Sequence, residues 1–210
     1  MIRYLSIYLS IYLSIYLSIY LFLCLLTSSN AQAEVFINKK VTYYDISGLT
    51  SNALRRQMSK SGPRNQVSTR RHAMTQWKLY SELDYVDTND GCEIRNVDIT
   101  VDIESTYPRW LNRDDAHPQV KASWDGFYRA LVEYEDMHVN NGIEAAKELE
   151  KKLIYISESN NRLLNTLYTC TYFQQRANAV IQQVMYEYIH YDIYLDRTTD
   201  YGNSKGVWLP

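Results

Sequence analysis

Tyr134, Glu135 and His138 stand at positions i, i+1 and i+4 of a stretch whose apolar spacing is helical. In the pattern His-Glu-x-x-His this spacing turns two imidazoles and a carboxylate to one side of a helix. The imidazoles grip a zinc ion, and the carboxylate takes a proton from the metal's water. Here a phenol replaces the first imidazole. Tyrosine ligates only as phenolate, and with an ordinary pKa of about 10 it must shed a proton that neutral histidine need not shed. If the site is active, Glu135 is its general base and His138 a metal ligand. The competing reading makes His138 a core histidine hydrogen-bonded to Tyr134 or Tyr201, and Glu135 a half-buried carboxylate answered by Arg or Tyr.

These residues need a long helix to carry them. Trp124, Phe127, Leu131, Tyr134, His138, Gly142, Ala145, Leu149 and Leu153 recur at helical spacing, which predicts one amphipathic helix beginning near Val120 and breaking around Ser157 to Asn161. A second helix, of roughly six turns or more, follows from Phe173, Ala177, Val180, Val184, Tyr188, Tyr191 and Leu195. Upstream, Val35 to Ile46 has strand composition, and Thr50 or Ser51 can cap a short helix through Leu54 and Met58. Alternation over Ala73–Leu83 and over Val97, Ile99, Val101 and Ile103 predicts an antiparallel hairpin. A change of parity between Ile94 and Val97 points to a bulge in it. The fold class is therefore α+β, an antiparallel sheet of about three to four strands packed on two long helices.

Composition narrows the function classes. The chain of 210 residues is 46% hydrophobic with a formal charge of −2, a globular balance that offers no basic face to nucleic acid. Residues 1–33 read as a secretory signal peptide: Arg3, a fourfold Tyr-Leu-Ser-Ile repeat from Tyr4 to Ile19, a further apolar run, and Ala31-Gln32-Ala33 before Glu34. Residues 34–210 then form one domain. The apolar span exceeds an ordinary signal core, so an uncleaved membrane anchor remains the alternative. Cys24 follows a bulky Leu23, which argues against lipid attachment. Removal of the leader leaves Cys92 and Cys170, which an oxidising compartment would join; two buried thiols are the other possibility.

Other polar groups are weaker candidates. His190 and Asp192 could rebuild a site with His138, although packing is the commoner role of such residues. His72 and His117 fall in loops without a nameable partner. Tyr186, Tyr188, Tyr191 and Tyr194 could stack against sugars or peptides, or simply edge the core. Glu133 to Asp136 could attract a hard cation or form a solvated helix face. No glycine-rich phosphate loop, redox cysteine pair or nucleophile elbow is present.

Taken in order, Tyr43-Tyr44-Asp45-Ile46-Ser47-Gly48, Thr75-Gln76-Trp77, Gly91-Cys92, Pro108-Arg109-Trp110, the Glu135/His138 helix, Cys170, and Thr198 to Gly202 followed by Gly206 resemble a bacterial family. Its members are secreted proteins of unknown function described as zinc-dependent proteases. The resemblance spans nearly all of residues 34–210 and implies a zincin-like fold. It also implies that Tyr134 occupies the first ligand position, His138 the second, and Tyr201 the place of the family's C-terminal histidine. Two of three imidazoles are then missing, and a catalytic zinc needs three protein ligands and a water.

Three readings follow: an exported pseudo-protease that binds a peptide or protein of the cell envelope without cutting it, an active metallopeptidase with an altered ligand set, and a structural envelope domain held by Cys92 and Cys170. The first expects no cofactor and the second zinc. A membrane enters only through an uncleaved leader.

Overall fold

The computed structural model describes residues 12–16, 18, 32–65, 69–88, 91–160 and 169–210. The chain divides into two compact units, Met1–Ala31 and Gln32–Pro210. In the first, the described residues 12–16 and 18 are helical. The rest of the leader, with Cys24, lies outside the described residues, whereas Ala33 already belongs to a strand. Among the described residues no helix is long and apolar enough to cross a membrane.

The second unit runs β1 (Gln32–Ile46), α1 (Ser51–Ser61), β2 (Met74–Thr88), β3 (Gly91–Trp110), α2 (Pro118–Asn160) and α3 (Cys170–Thr198), with short 3-10 turns at Arg113–Asp115 and Asn203–Lys205. It is an α+β arrangement, a three-stranded sheet packed on two long helices. β3 lies in the middle and is apolar at every second residue, which turns one side of the sheet to the core: Val97, Ile99 and Val101 are fully buried, while Asp98, Asp102 and Glu104 alternate toward the other face. The pairing with β2 slips once, with Asp84 opposite Asn96 and Tyr85 opposite Ile94. Arg95 is thus the extra residue of a bulge. It reverses the parity so that Ile94 and Cys92 return to the buried side.

The expectation of an antiparallel sheet holds for β2 and β3 but not for β1, which runs parallel to β3 in the order β1-β3-β2. α1 connects β1 to β2 at one end of the sheet, so those two strands run in opposite directions and β3 inserts between them. A strand beside both must be parallel to one of them. The link is compact: Thr50 caps α1 by accepting the Ala53 N–H at 3.2 Å, and Leu54 and Met58 are buried against Ile46 and Trp110. The basic loop after α1 lies partly outside the described residues, and Arg64 pairs with Arg70 across it.

α2 buries the whole predicted stripe from Trp124 to Leu153. Its apolar side touches two separate clusters. Trp124, Phe127, Leu131 and Tyr134 join Ile46, Trp110, Val207 and Leu209, whereas Ala145, Leu149 and Leu153 join Val97, Ile99, Phe173 and Val184. Glu135, His138 and Asn141, all buried and polar, lie at the seam between them. A disulfide joins Cys92 to Cys170, 78 residues apart, tying the bulged end of β3 to the start of α3.

Candidate functional site

The seam is a ladder between two helices. α3 runs antiparallel to α2, so Tyr134 and His138, one turn apart, face Asp196 and Asp192, also one turn apart. The Tyr134 hydroxyl donates to Asp196 Oδ1 at 2.7 Å. His138 places Nδ1 2.8 Å from Asp192 Oδ1 and Nε2 3.3 Å from Asp196 Oδ1. One turn further, Asn141 donates to the Tyr188 carbonyl at 2.9 Å. A carboxylate at each ring nitrogen favours the doubly protonated imidazolium of His138. Burial alone would lower its pKa, but the two aspartates outweigh burial and push it up to about 10. Burial would likewise raise Asp196, yet His138 and Tyr134 hold its carboxyl below the usual range.

Asp192 is itself held from the sheet, because the Trp77 indole N–H donates to its Oδ2 at 2.7 Å. The indole reaches α3 by lying directly on α2 at Gly142. A Cβ there would stand 2.7 Å from Trp77 Cγ, so the backbone must be bare for the ring to pass. This explains a glycine inside the buried stripe of a long helix.

Tyr134 is fixed from its other side by the turn after α3. The Thr199 hydroxyl lies 3.2 Å from the Tyr134 oxygen and accepts the Gly202 N–H at 3.1 Å. Asp200 and Tyr201 take left-handed backbone conformations, with φ of 48° and 53°. Such angles are strained for residues with a side chain. The Tyr201 N–H bonds to the Asp196 carbonyl at 2.7 Å, which holds the turn. At Gly202 a Cβ would meet Tyr134 Cγ at 3.0 Å, so glycine lets the turn press on the phenol ring.

A cavity of about 270 Å³ opens beside this ladder. Tyr134, Glu135, His138 and Tyr201 all line it, together with Asp192, Asp196 and Asp200. Tyr201 is at the rim, 42% exposed, with the Arg71 guanidinium 3.4 Å above its ring. Glu135 is buried. Thr75 of β2 hydrogen-bonds its carboxylate through hydroxyl and backbone, while Oε2 has no partner. Burial pushes the Glu135 carboxyl up to about 7, against the pull of His138 and Thr75.

The structure thus brings six sequence-selected residues to one cavity, Tyr134, Glu135, His138, Tyr201, Asp192 and His72; Asp192 meets His138, and the other partners differ from those expected. His138 bonds to two aspartates rather than to Tyr134 or Tyr201, and Tyr134 meets its ring edge-on at 5.2 Å. Glu135 is answered by Thr75 rather than by Arg or Tyr. His72 lines the cavity and packs edge-on against Phe127. His117 is exposed at the start of α2, and His190 lies exposed against Tyr186, apart from the ladder. Of the tyrosine cluster, Tyr186, Tyr191 and Tyr194 are exposed on α3. Sequence reasoning missed Asp196 and Arg71. The signal for the first was its four-residue spacing from Asp192 on either side of buried Leu195, a pattern that matches Tyr134 and His138 on the facing helix.

These donors do not fit a catalytic zinc. Both nitrogens of His138 face carboxylates, His72, the other imidazole lining the cavity, packs edge-on against Phe127, and the Tyr134 phenol, raised far above its ordinary pKa by burial, is a donor rather than a phenolate. Among the described residues, the trio of His, Cys, Asp or Glu ligand atoms that converges within 4.8 Å is Asp87, Cys92 and Cys170, two of which form the disulfide.

The class defined by these features is an α+β domain with an ion-paired histidine buried between two antiparallel helices, beside an edge strand. Residues 41–203 match the family described as "Bacterial protein of unknown function (DUF922)", and the chain belongs to that family. The matched region contains the ladder, the disulfide and every residue lining the cavity but Val207. No curated protein and no solved structure matches the chain.

Proposed function

We propose that the protein is an exported, protease-like binding domain that no longer hydrolyses. An extended peptide or protein segment of the cell envelope adds along the outer rim of β2 and sends a side chain into the cavity. One observation carries the non-catalytic part: the imidazole that would ligate zinc is engaged at both nitrogens, by Asp192 and Asp196. The binding part is supported by the strand order, which leaves β2 at an edge, and by Ala73, Met74 and Thr75, which run into the cavity wall. The disulfide is consistent with an oxidising, extracytoplasmic location.

Metal analysis tests this reading. Purified protein supplied with micromolar zinc is expected to retain far less than one ion per chain. The double variant Tyr134→His/Tyr201→His is expected to gain zinc, because it returns imidazoles to two walls of the same cavity. A full equivalent of zinc in the unaltered protein, lost on His138→Ala, would overturn the non-catalytic reading and favour the metallopeptidase.

A further inference from the structure

Among the described residues, the buried side-chain oxygen without a hydrogen-bond partner is Glu135 Oε2, and Glu135 lines the cavity. A carboxylate oxygen removed from water and left unanswered is costly, so its position calls for a donor arriving from outside. The way in is apolar on several sides, since Ala73, Met74, Leu131 and Val207 also line the cavity. Asp196 also lines the cavity, with one oxygen committed to His138 and Tyr134. Arg71 offers no answer from within, because its guanidinium is stacked on Tyr201 at the rim.

We infer that the cavity is a recognition pocket for the side chain of a lysine in the bound segment, with Glu135 Oε2 as the acceptor for its ammonium group. This rests on the binding reading above and names the side chain that reading leaves open. Lysine fits both halves of the pocket. Its aliphatic stem suits apolar walls, and its compact ammonium suits a single unpartnered oxygen at the buried end of the cavity better than the flat fork of arginine does. About 270 Å³ is ample for four methylenes and an ammonium.

The test titrates isotopically labelled protein with three acetylated, amidated pentapeptides, Ala-Ala-X-Ala-Ala with lysine, norleucine or glutamate at X, following amide shifts around Thr75. The lysine peptide is expected to bind about tenfold or more tightly than the norleucine peptide, the scale of one charge-assisted hydrogen bond. The isosteric Glu135→Gln variant is expected to erase that preference while keeping norleucine binding, and its thermal midpoint at pH 8 should be no lower than that of the unaltered protein, since the buried charge is gone. Equal binding of all three peptides, or a lysine preference that survives Glu135→Gln, overturns the lysine pocket and leaves strand addition standing. Absence of shifts with every peptide overturns both.

Discussion

Replacing Cys92 and Cys170 together by serine is expected to destabilise the protein by about 4–5 kcal/mol, read as a lower urea midpoint. The bridge closes a loop of 78 residues, and the chain-entropy relation gives that magnitude for a loop of such length. Its position adds a mechanical consequence. Cys170 begins α3, and Asp192 lies about 33 Å further along the same helix at 1.5 Å per residue. The disulfide therefore pins one end of α3 while the ladder to α2 pins the other. Without the covalent end, the helix is held over the sheet mainly by Phe173, Ala177 and Val184 and by its polar contacts. A change below about 1 kcal/mol would mean that α3 is fixed without the bridge, and the loop-closure argument would fail for this fold.

Asp192→Ala is expected to cost about 3 kcal/mol at pH 6, the scale for removing one partner of a buried pair. Two groups lose a partner at once, the Nδ1 side of His138 and the Trp77 indole. The effect has a defined pH dependence. The folded pKa of His138 is raised, so its contribution is complete below the unfolded value of 6.5 and is lost as pH rises through about 10. The gap between the unaltered protein and Asp192→Ala should then be widest near pH 6 and narrow steadily toward pH 10. Glu135 acts in the same direction over an earlier window. Its folded pKa is also raised, so the native state loses stability as pH climbs from 4.5 through about 7. Asp196 acts oppositely: its depressed carboxyl stabilises above the unfolded 3.8, and that contribution disappears as pH falls through the folded value. Urea midpoints of both proteins between pH 5 and pH 10 check this. A gap that is constant across that range would show that the pair is not ionic.

Features set by neighbours along the chain were legible in the sequence. The stripe from Trp124 to Leu153 is buried throughout because helical period alone decides which side of α2 faces inward. The bulge at Arg95 was visible for a similar reason, since alternation that changes parity must be reset by an unpaired residue. Features set by partner choice were not. That β1 runs parallel to β3 depends on β3 entering between two strands, and each strand has the same alternation whichever neighbour it takes. The ladder was hidden for the same kind of reason. Asp192 was legible as a candidate partner of His138, but Asp196 has the composition of a solvated helix face, and only the antiparallel docking of α3 on α2 brings it to His138 and Tyr134. Tyrosine and histidine side by side suggested a mutual hydrogen bond, but a buried imidazole is better satisfied by two carboxylates, each of which also takes a second donor. Trp77 was legible as a strand residue. Its role in orienting Asp192 required knowing that Gly142 clears its path.

The protonation of His138 bears on all of this most directly, because a ring held at both nitrogens is the reason the cavity is read as a binding site and not a metal centre. Nitrogen-15 shifts of the His138 ring, followed from pH 5 to pH 9, should show two protonated nitrogens throughout and no response to added zinc. A neutral ring at pH 7 whose Nε2 shift moves on adding zinc would contradict it.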